Sequence, residues 1–231
     1  MDVGPRLPPA LVVLDLAGTT VEDRGQVPTA FAETLAANGV MVTAEEITRV
    51  RGASKRQAIR NLLAASLRDD PSARQAFEAE ADRIYGEFRR NLAQAYMAGG
   101  VRCVPGAEDM IRSLRASGRK VALTTGFDRD IATLLMTSLG WTRHTVDAVV
   151  CGDDVTNGRP APDMILLAMK LTAVEDPALV ANVGDTALDL ESGARAGVRW
   201  NIGVLSGAHD RAALGRAPHS YLINSIADLR F

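Results

Sequence analysis

Apolar and polar positions along the 231-residue chain change period several times, and each change marks an element. Ala10 to Leu14 is a short apolar run that reaches Asp15 and then breaks into Ala17-Gly18-Thr19. A run this short, bounded by turn residues, predicts a buried strand with a loop at its carboxyl end. From about Val27 to Leu92 the chain is rich in Ala, Glu, Arg and Leu, with no β-branched run and no strand-like alternation. That pattern predicts helices over roughly 27–39, 44–50, 55–67 and 71–95. Thr43-Ala-Glu-Glu46 has the spacing of a capping box, and Ser54 stands at an N-cap position ahead of Lys55. After Pro105 the rhythm becomes helix, strand, helix, strand. Helices near 107–117, 129–139, 161–172 and 187–196 alternate with apolar runs at roughly 120–125, 148–150, 179–183 and 198–202.

Periods of this length build parallel sheets. The expected fold class is therefore α/β: a doubly wound, Rossmann-like parallel sheet with an all-helical cap inserted after the first strand. The expected core is 1–23 with 98–231, and the expected cap is 24–97. Residues 1 to about 9 are Pro-rich and read as a loose tail.

Composition narrows the function classes. The chain is 47% hydrophobic and 23% charged, with a formal net charge of -2. It has no basic stripe with interleaved aromatics, so no nucleic-acid partner is expected. No apolar run approaches the ~20 residues that cross a membrane, and MDVGPRLPPA lacks the apolar core of a signal peptide. No membrane association and a cytoplasmic location are expected. Cys103 and Cys151 have no metal-type spacing and read as free thiols. The Arg/Glu-rich segment 67–95 reads as solvated helix faces, with apolar residues that leave room for a homodimer. His144, His209 and His219 are scattered and fall outside any motif.

Open α/β sheets bind ligands at the carboxyl ends of their strands. Strand one ends at Asp15, and another at Thr124-Thr125-Gly126. Gly158-Arg159-Pro160 follows the run at 148–150, and a further strand ends at Gly184-Asp185-Thr186 with Asp189 one turn on. This donor set suits phosphoryl transfer to a carboxylate nucleophile. Such a reaction needs a divalent cation held by oxygen ligands, which points to Mg²⁺. It also needs hydrogen-bond donors and a fixed cation around the transferred group, as a Thr hydroxyl, backbone N–H groups and Arg159 could supply.

In this order, Asp-x-Ala-Gly-Thr, apolar-Thr-Thr-Gly, Gly-Arg-Pro and Val-Gly-Asp-Thr-x-x-Asp resemble the haloacid dehalogenase superfamily, over nearly the whole chain. The resemblance implies that Asp15 is a nucleophile that becomes an aspartyl-phosphate. It implies that Thr125 and neighbouring N–H groups, with Gly18, Thr19 and Gly126 close by, hold the phosphoryl oxygens. Arg159 takes the place of the basic residue that neutralises nucleophile and phosphate. Mg²⁺ is expected on Asp15, Asp185 and the carbonyl of Ala17. Asp189 is a second acidic position, as a metal or water ligand or as an orienting group.

Most phosphatases of this superfamily carry an Asp two residues after the nucleophile, as general acid and base. Here that position is Ala17. In this the chain is similar to the phosphonatase branch, which cleaves a P–C bond and uses a cap lysine as a Schiff base. The branch reads Thr-Ala-Glu-Glu and then Gly-x-x-Lys; this chain reads Thr43-Ala-Glu-Glu46 and Gly52-Ala-Ser-Lys55. Arg51 stands where the branch has Met, Ala58 where it has His, and Phe127 where it has an aromatic hydroxyl. Arg24-Gly25-Gln26 lacks its Cys. Lys55 has three readings: Schiff base, contact to a substrate anion, or solvated surface. Arg51 is a candidate for a substrate anion, and Gly52 for a turn that lets the cap backbone approach the core. The implied function is Mg²⁺-dependent hydrolysis of phosphonoacetaldehyde or a related small phosphonate. The alternatives are a phosphatase for a small phosphomonoester and an inactive binding protein that keeps the fold.

Overall fold

In the computed structural model, residues 8–64 and 71–231 are described, including all of their side chains except those of 71–76. The expected tail at 1–9 and the expected end of the third helix at 65–67 lie largely outside them. Among the described residues, β1 (Leu11–Asp15), β2 (Lys120–Thr124), β3 (Ala148–Val150), β4 (Val180–Gly184), β5 (Trp200–Val204) and β6 (Tyr221–Ile223) form one sheet. Its order is β3-β2-β1-β4-β5-β6, and every pairing is parallel. Helices α5 (Ala107–Ala116), α6 (Arg129–Ser138), α7 (Asp163–Thr172), α8 (Ala187–Ala196) and α9 (Arg211–Leu214) connect or flank the strands. The fold is the expected doubly wound α/β sheet, with one more strand than the sequence pattern shows.

The strand sequence explains the layering. β1 reads LVVLD and is buried at every position. A strand covered by helices on both faces has no polar face to show, so its run is continuous rather than alternating. Val12 and Leu14 belong to one apolar cluster and Leu11 and Val13 to another, as the period of two requires.

Among the described residues, four helices occupy the stretch between β1 and α5: α1 (Gln26–Ala37), α2 (Ala44–Arg49), α3 (Lys55–Ala64) and α4 (Pro71–Gly99). The capping box at α2 forms as read. The Thr43 hydroxyl accepts from the Glu46 N–H at 3.2 Å, and the Glu46 carboxylate accepts from the Thr43 N–H at 2.8 Å. α1 and α4 pack through Phe31 and Phe88, whose ring centroids lie 4.4 Å apart. Burial of each such side chain contributes roughly 1.5–3 kcal/mol. Leu35, Ile59, Ile84 and Leu92 fill in around them.

Strand order reverses direction at β1, with β2 on one side and β4 on the other. A crevice opens at the carboxyl ends where connections diverge in this way. Asp15 pairs in register with Thr124, and Leu14 with Val183, so Asp15, Thr124 and the β4 end at Gly184 reach one level.

Candidate active site

The loop after each central strand contributes one group to this crevice. Asp15 ends β1 with its carboxylate almost wholly buried. Thr20 ties the loop that follows, its hydroxyl donating to the carbonyls of Asp15 and Leu16 at 3.0 Å each. Arg159 reaches in from the loop between β3 and α7 and is clamped three ways. It donates to Asp15 Oδ1 at 2.6 Å through Nη1 and to the Thr124 hydroxyl at 2.7 Å through Nη2, and its Nε meets Asp189 Oδ1 at 2.9 Å. A planar guanidinium held at three nitrogens has one orientation, which a lysine could not copy.

Asp189 thus meets the guanidinium edge through Oδ1. Its other oxygen, Oδ2, accepts from the Thr186 N–H at 3.0 Å and the Thr186 hydroxyl at 2.5 Å, in the capping box of α8. Both oxygens of Asp189 are thus engaged within the protein. Gly18 and Thr19, expected as substrate contacts, border Asp185. The Thr19 hydroxyl donates to Asp185 Oδ1 at 3.3 Å. A Cβ on Gly18 would lie 2.3 Å from Asp185 Oδ2, and one on Gly207 would lie 2.0 Å from it.

Asp185 is gripped by the loop after β5. The Ala208 N–H donates to Asp185 Oδ2 at 2.6 Å, and the His209 N–H to its carbonyl at 3.2 Å. Burial, then repulsion from Asp189, pushes the Asp185 carboxyl up to about 6. Asp15 is likewise raised well above the usual carboxylate range by burial, against the pull of Arg159. Two buried carboxylates that both resist ionisation, beside glycines that leave no room for side chains, form a donor set a hard divalent cation would satisfy. Asp15, Asp185 and the Ala17 carbonyl fit such a group.

The insert closes over this crevice through the loop before α3. Gly52 has φ +87°, and a Cβ there would meet Thr186 Oγ1 at 2.3 Å. A Cβ on Gly126 would lie 2.3 Å from the Ala53 carbonyl. The Lys55 N–H donates to the Gly126 carbonyl at 3.3 Å. Thr125, buried at the end of β2, accepts from the Phe127 N–H at 3.1 Å and shapes this turn.

Lys55 is 6% exposed, which removes the reading of it as a solvated surface lysine. Its Nζ donates to the Ala53 carbonyl at 3.0 Å and lies 5.2 Å from the centre of the Phe127 ring. Burial, only partly offset by the attraction of Asp15, lowers its pKa to about 8. Arg51, a candidate for a substrate anion, lines the crevice and forms an ion pair with Asp23.

Asp15, Ala17, Asp23, Arg51, Gly52, Lys55, Thr125, Gly126, Phe127, Arg159 and Asp185 thus line one cavity of about 20 Å³. That is room for about one water. A larger groove of about 970 Å³ lies on the other side of the 53–57 segment. Its arginines are already paired, Arg56 with Asp82, Arg60 with Glu78 and Arg89 with Asp128, and the nucleophile does not line it.

Sequence reasoning missed Asp23, Thr124 as an anchor for Arg159, and His209. The His209 ring accepts from the Ala187 N–H at 3.0 Å through Nδ1, and its Nε2 lies 3.3 Å from the Thr48 carbonyl of α2. No local signal marks these residues, because each acts across the fold. The cysteines behave as read: both are free, and burial pushes each thiol up to about 12.

A carboxylate at the switch point, clamped by a guanidinium beside a second buried carboxylate, defines a class of hydrolase. The chain belongs to the haloacid dehalogenase-like hydrolases, whose family profile matches residues 9–197. Its relatives place it in the phosphonatase-like branch. It is 31% identical over 234 residues to the phosphonoacetaldehyde hydrolase of Syntrophobacter fumaroxidans, covering 95% of this chain and 82% of that protein. It is 29% identical over 232 residues to the phosphonoacetaldehyde hydrolase of Bacteroides fragilis, covering 95% and 86%. The crystal structure of a phosphonoacetaldehyde hydrolase-like protein from Oleispira antarctica matches 100% of this chain and 93% of that one, at 26% identity and a TM-score of 0.82.

Proposed function

We propose that the protein hydrolyses the P–C bond of phosphonoacetaldehyde or a closely related small carbonyl phosphonate, through an imine on Lys55 and a phosphoryl group on Asp15. The observation that carries this reading is the buried amine. Lys55 lines the same cavity as Asp15, with its pKa lowered to about 8, while Ala17 leaves no general acid for an ester oxygen.

The chemistry follows from these groups. The neutral Lys55 amine attacks the carbonyl carbon; an N–C bond forms, and the carbonyl oxygen leaves as water. The product is a protonated imine two bonds from phosphorus. Asp15 attacks phosphorus, and the P–C electron pair flows into the imine to give an enamine. No oxygen leaves phosphorus in this step, so no acid at position 17 is required for it. A divalent cation held by Asp15, Asp185 and the Ala17 carbonyl would supply charge neutralisation at the phosphonate oxygens. Arg159 adds a fixed positive charge at Asp15, and the Thr125 hydroxyl and the Gly126 N–H offer donors. Water then hydrolyses the aspartyl-phosphate; the enamine takes a proton from solvent on its terminal carbon to become an imine again, and water hydrolyses that imine to acetaldehyde and free Lys55. A cavity of about 20 Å³ holds no such substrate. The loop carrying Lys55 must lift for binding and close again, which ties catalysis to motion of the helical insert, here assigned as the cap over 24–97.

The test is phosphate release from phosphonoacetaldehyde with Mg²⁺, with and without borohydride, for wild type and Lys55→Ala. The expected result is turnover that borohydride abolishes, with a mass adduct on Lys55, and at least about 10³-fold loss in Lys55→Ala. Wild-type turnover with no adduct would overturn the imine, and absence of turnover would overturn the substrate.

A further inference from the structure

Tyr96 lies in the last turn of α4, near the point where the chain leaves the helical insert for the sheet. It is fully buried, yet its hydroxyl has no hydrogen-bond partner. A buried hydroxyl left unpaired costs stability, and phenylalanine would fill the same space without that cost. The hydroxyl therefore needs a reason to be there.

Its surroundings supply one. The Tyr96 ring meets the Phe127 ring edge-on, with centroids 6.4 Å apart at 81°. Phe127 is a wall of the catalytic cavity, and Lys55 Nζ lies over its ring. The charges that act on the phenol are Asp23, Arg51, Asp15 and Asp185, and all four line that cavity. Burial, reinforced by Asp23, raises the phenol's pKa, so it stays a neutral donor at any working pH. Phe127 itself offers only a ring. The donors lining the cavity beside Phe127 are Lys55, which must keep its lone pair for attack, and Arg51, which is paired with Asp23; Tyr96 packs against Phe127 just outside the lining of this closed cavity, which is too small for substrate.

We propose that the Tyr96 hydroxyl is a substrate-binding group: it donates a hydrogen bond to the carbonyl oxygen of the phosphonate and turns the carbonyl carbon toward Lys55. This rests on the phosphonatase reading above and adds the residue that recognises the carbonyl half of the substrate. No bond to Tyr96 forms or breaks; it polarises the oxygen that later leaves as water. The phosphonate half is left to Asp15, Arg159 and Thr125.

The experiment compares wild type with Tyr96→Phe, which removes one oxygen atom. Three quantities are measured with Mg²⁺ present: the thermal midpoint, binding of inorganic phosphate, and binding of acetonylphosphonate, a methyl ketone. The expected result is an unchanged or raised midpoint, unchanged phosphate affinity, and acetonylphosphonate affinity lower by roughly 3–10-fold, the effect of one hydrogen bond. KM for phosphonoacetaldehyde rises by a similar factor. A lowered midpoint would show that the hydroxyl has a structural partner and would overturn the proposal. So would equal loss of phosphate and ketone binding, or no loss of either, while wild-type turnover leaves the phosphonatase reading standing. Wild type that neither turns over phosphonoacetaldehyde nor prefers the ketone to phosphate would remove both.

Discussion

At the scale of single residues, the chemistry turns on how two buried groups share one environment. Burial disfavours the charged form of each, raising Asp15 and lowering Lys55. Their mutual attraction works the other way and holds the proton on Lys55. Asp15 is the second-largest influence on Lys55, and the largest that opposes burial. The sign of a test follows. Imine formation needs the neutral amine, so borohydride trapping of an aldehyde on Lys55 should rise with pH and level off above about 8. Asp15→Asn removes the attraction, so the midpoint moves to lower pH. The variant cannot accept a phosphoryl group, so the imine accumulates and is easy to trap. A midpoint that moves up, or stays at the ordinary value for lysine, would show that the two side chains do not meet in solution.

At the scale of elements, the site exists only where loops of the insert land on loops of the sheet. Gly52 meets Thr186, Gly126 meets Ala53, and His209 meets Thr48. The His209 contact is specific in its protonation. Nδ1 accepts the Ala187 N–H, so the ring's single proton sits on Nε2 and is donated to the Thr48 carbonyl. The same short loop holds Asp185, so closure of the insert and order at the second carboxylate are tied together. His209→Ala should raise KM by roughly 3–10-fold with little change in the thermal midpoint. His209→Gln, which can also accept and donate, should recover part of the loss. An unchanged KM in the alanine variant would mean that the contact does not form during turnover.

This division between elements and their meetings also marks what the sequence reveals. β1, β2 and β4 announce themselves as apolar runs, and Asp15, Thr125 and Asp185 stand at their ends. β6 escapes because its three edge residues are exposed or only half-buried, unlike the equally short but largely buried β3. α4 runs to Gly99, past the expected end near 95, because Tyr96 still has the buried core to pack against. The sequence marks Arg51 as a candidate for a substrate anion but not its ion-pair partner, because Asp23 lies 28 positions away, beyond any local pattern. His209 is 161 positions from Thr48. Such pairings follow from sheet order and from how the insert folds back.

At the scale of the whole molecule, no described helix is long and apolar enough to cross a membrane. The sheet gathers Asp15, Asp185 and Asp189 at one buried point, and among the described residues only Arg159 forms ion pairs there, with Asp15 and Asp189. Folding without a cation must therefore hold excess negative charge out of water. Asp185 shows the size of this cost. Its carboxyl is raised from 3.8 to about 6, so between those values the folded chain binds the proton more tightly than the unfolded chain. Its favourable contribution is present below 3.8 and is lost as pH rises through about 6. At pH 7 the burial cost is fully in place. Asp185→Asn removes it while keeping an oxygen to accept the Ala208 N–H. In chelator at pH 7 the variant should be more stable than wild type by roughly 1–3 kcal/mol. For a chain of this size that is a rise of several degrees in the thermal midpoint. Added Mg²⁺ should reverse the order, because binding to the folded state stabilises wild type and the variant has lost a ligand. The crossing separates two accounts. If the variant is less stable than wild type in chelator, Asp185 is held by compensating contacts and the buried negative charge is not a strain. If Mg²⁺ raises both midpoints equally, the ion binds somewhere other than between Asp15 and Asp185, and the sheet's switch point is not where the charge is balanced.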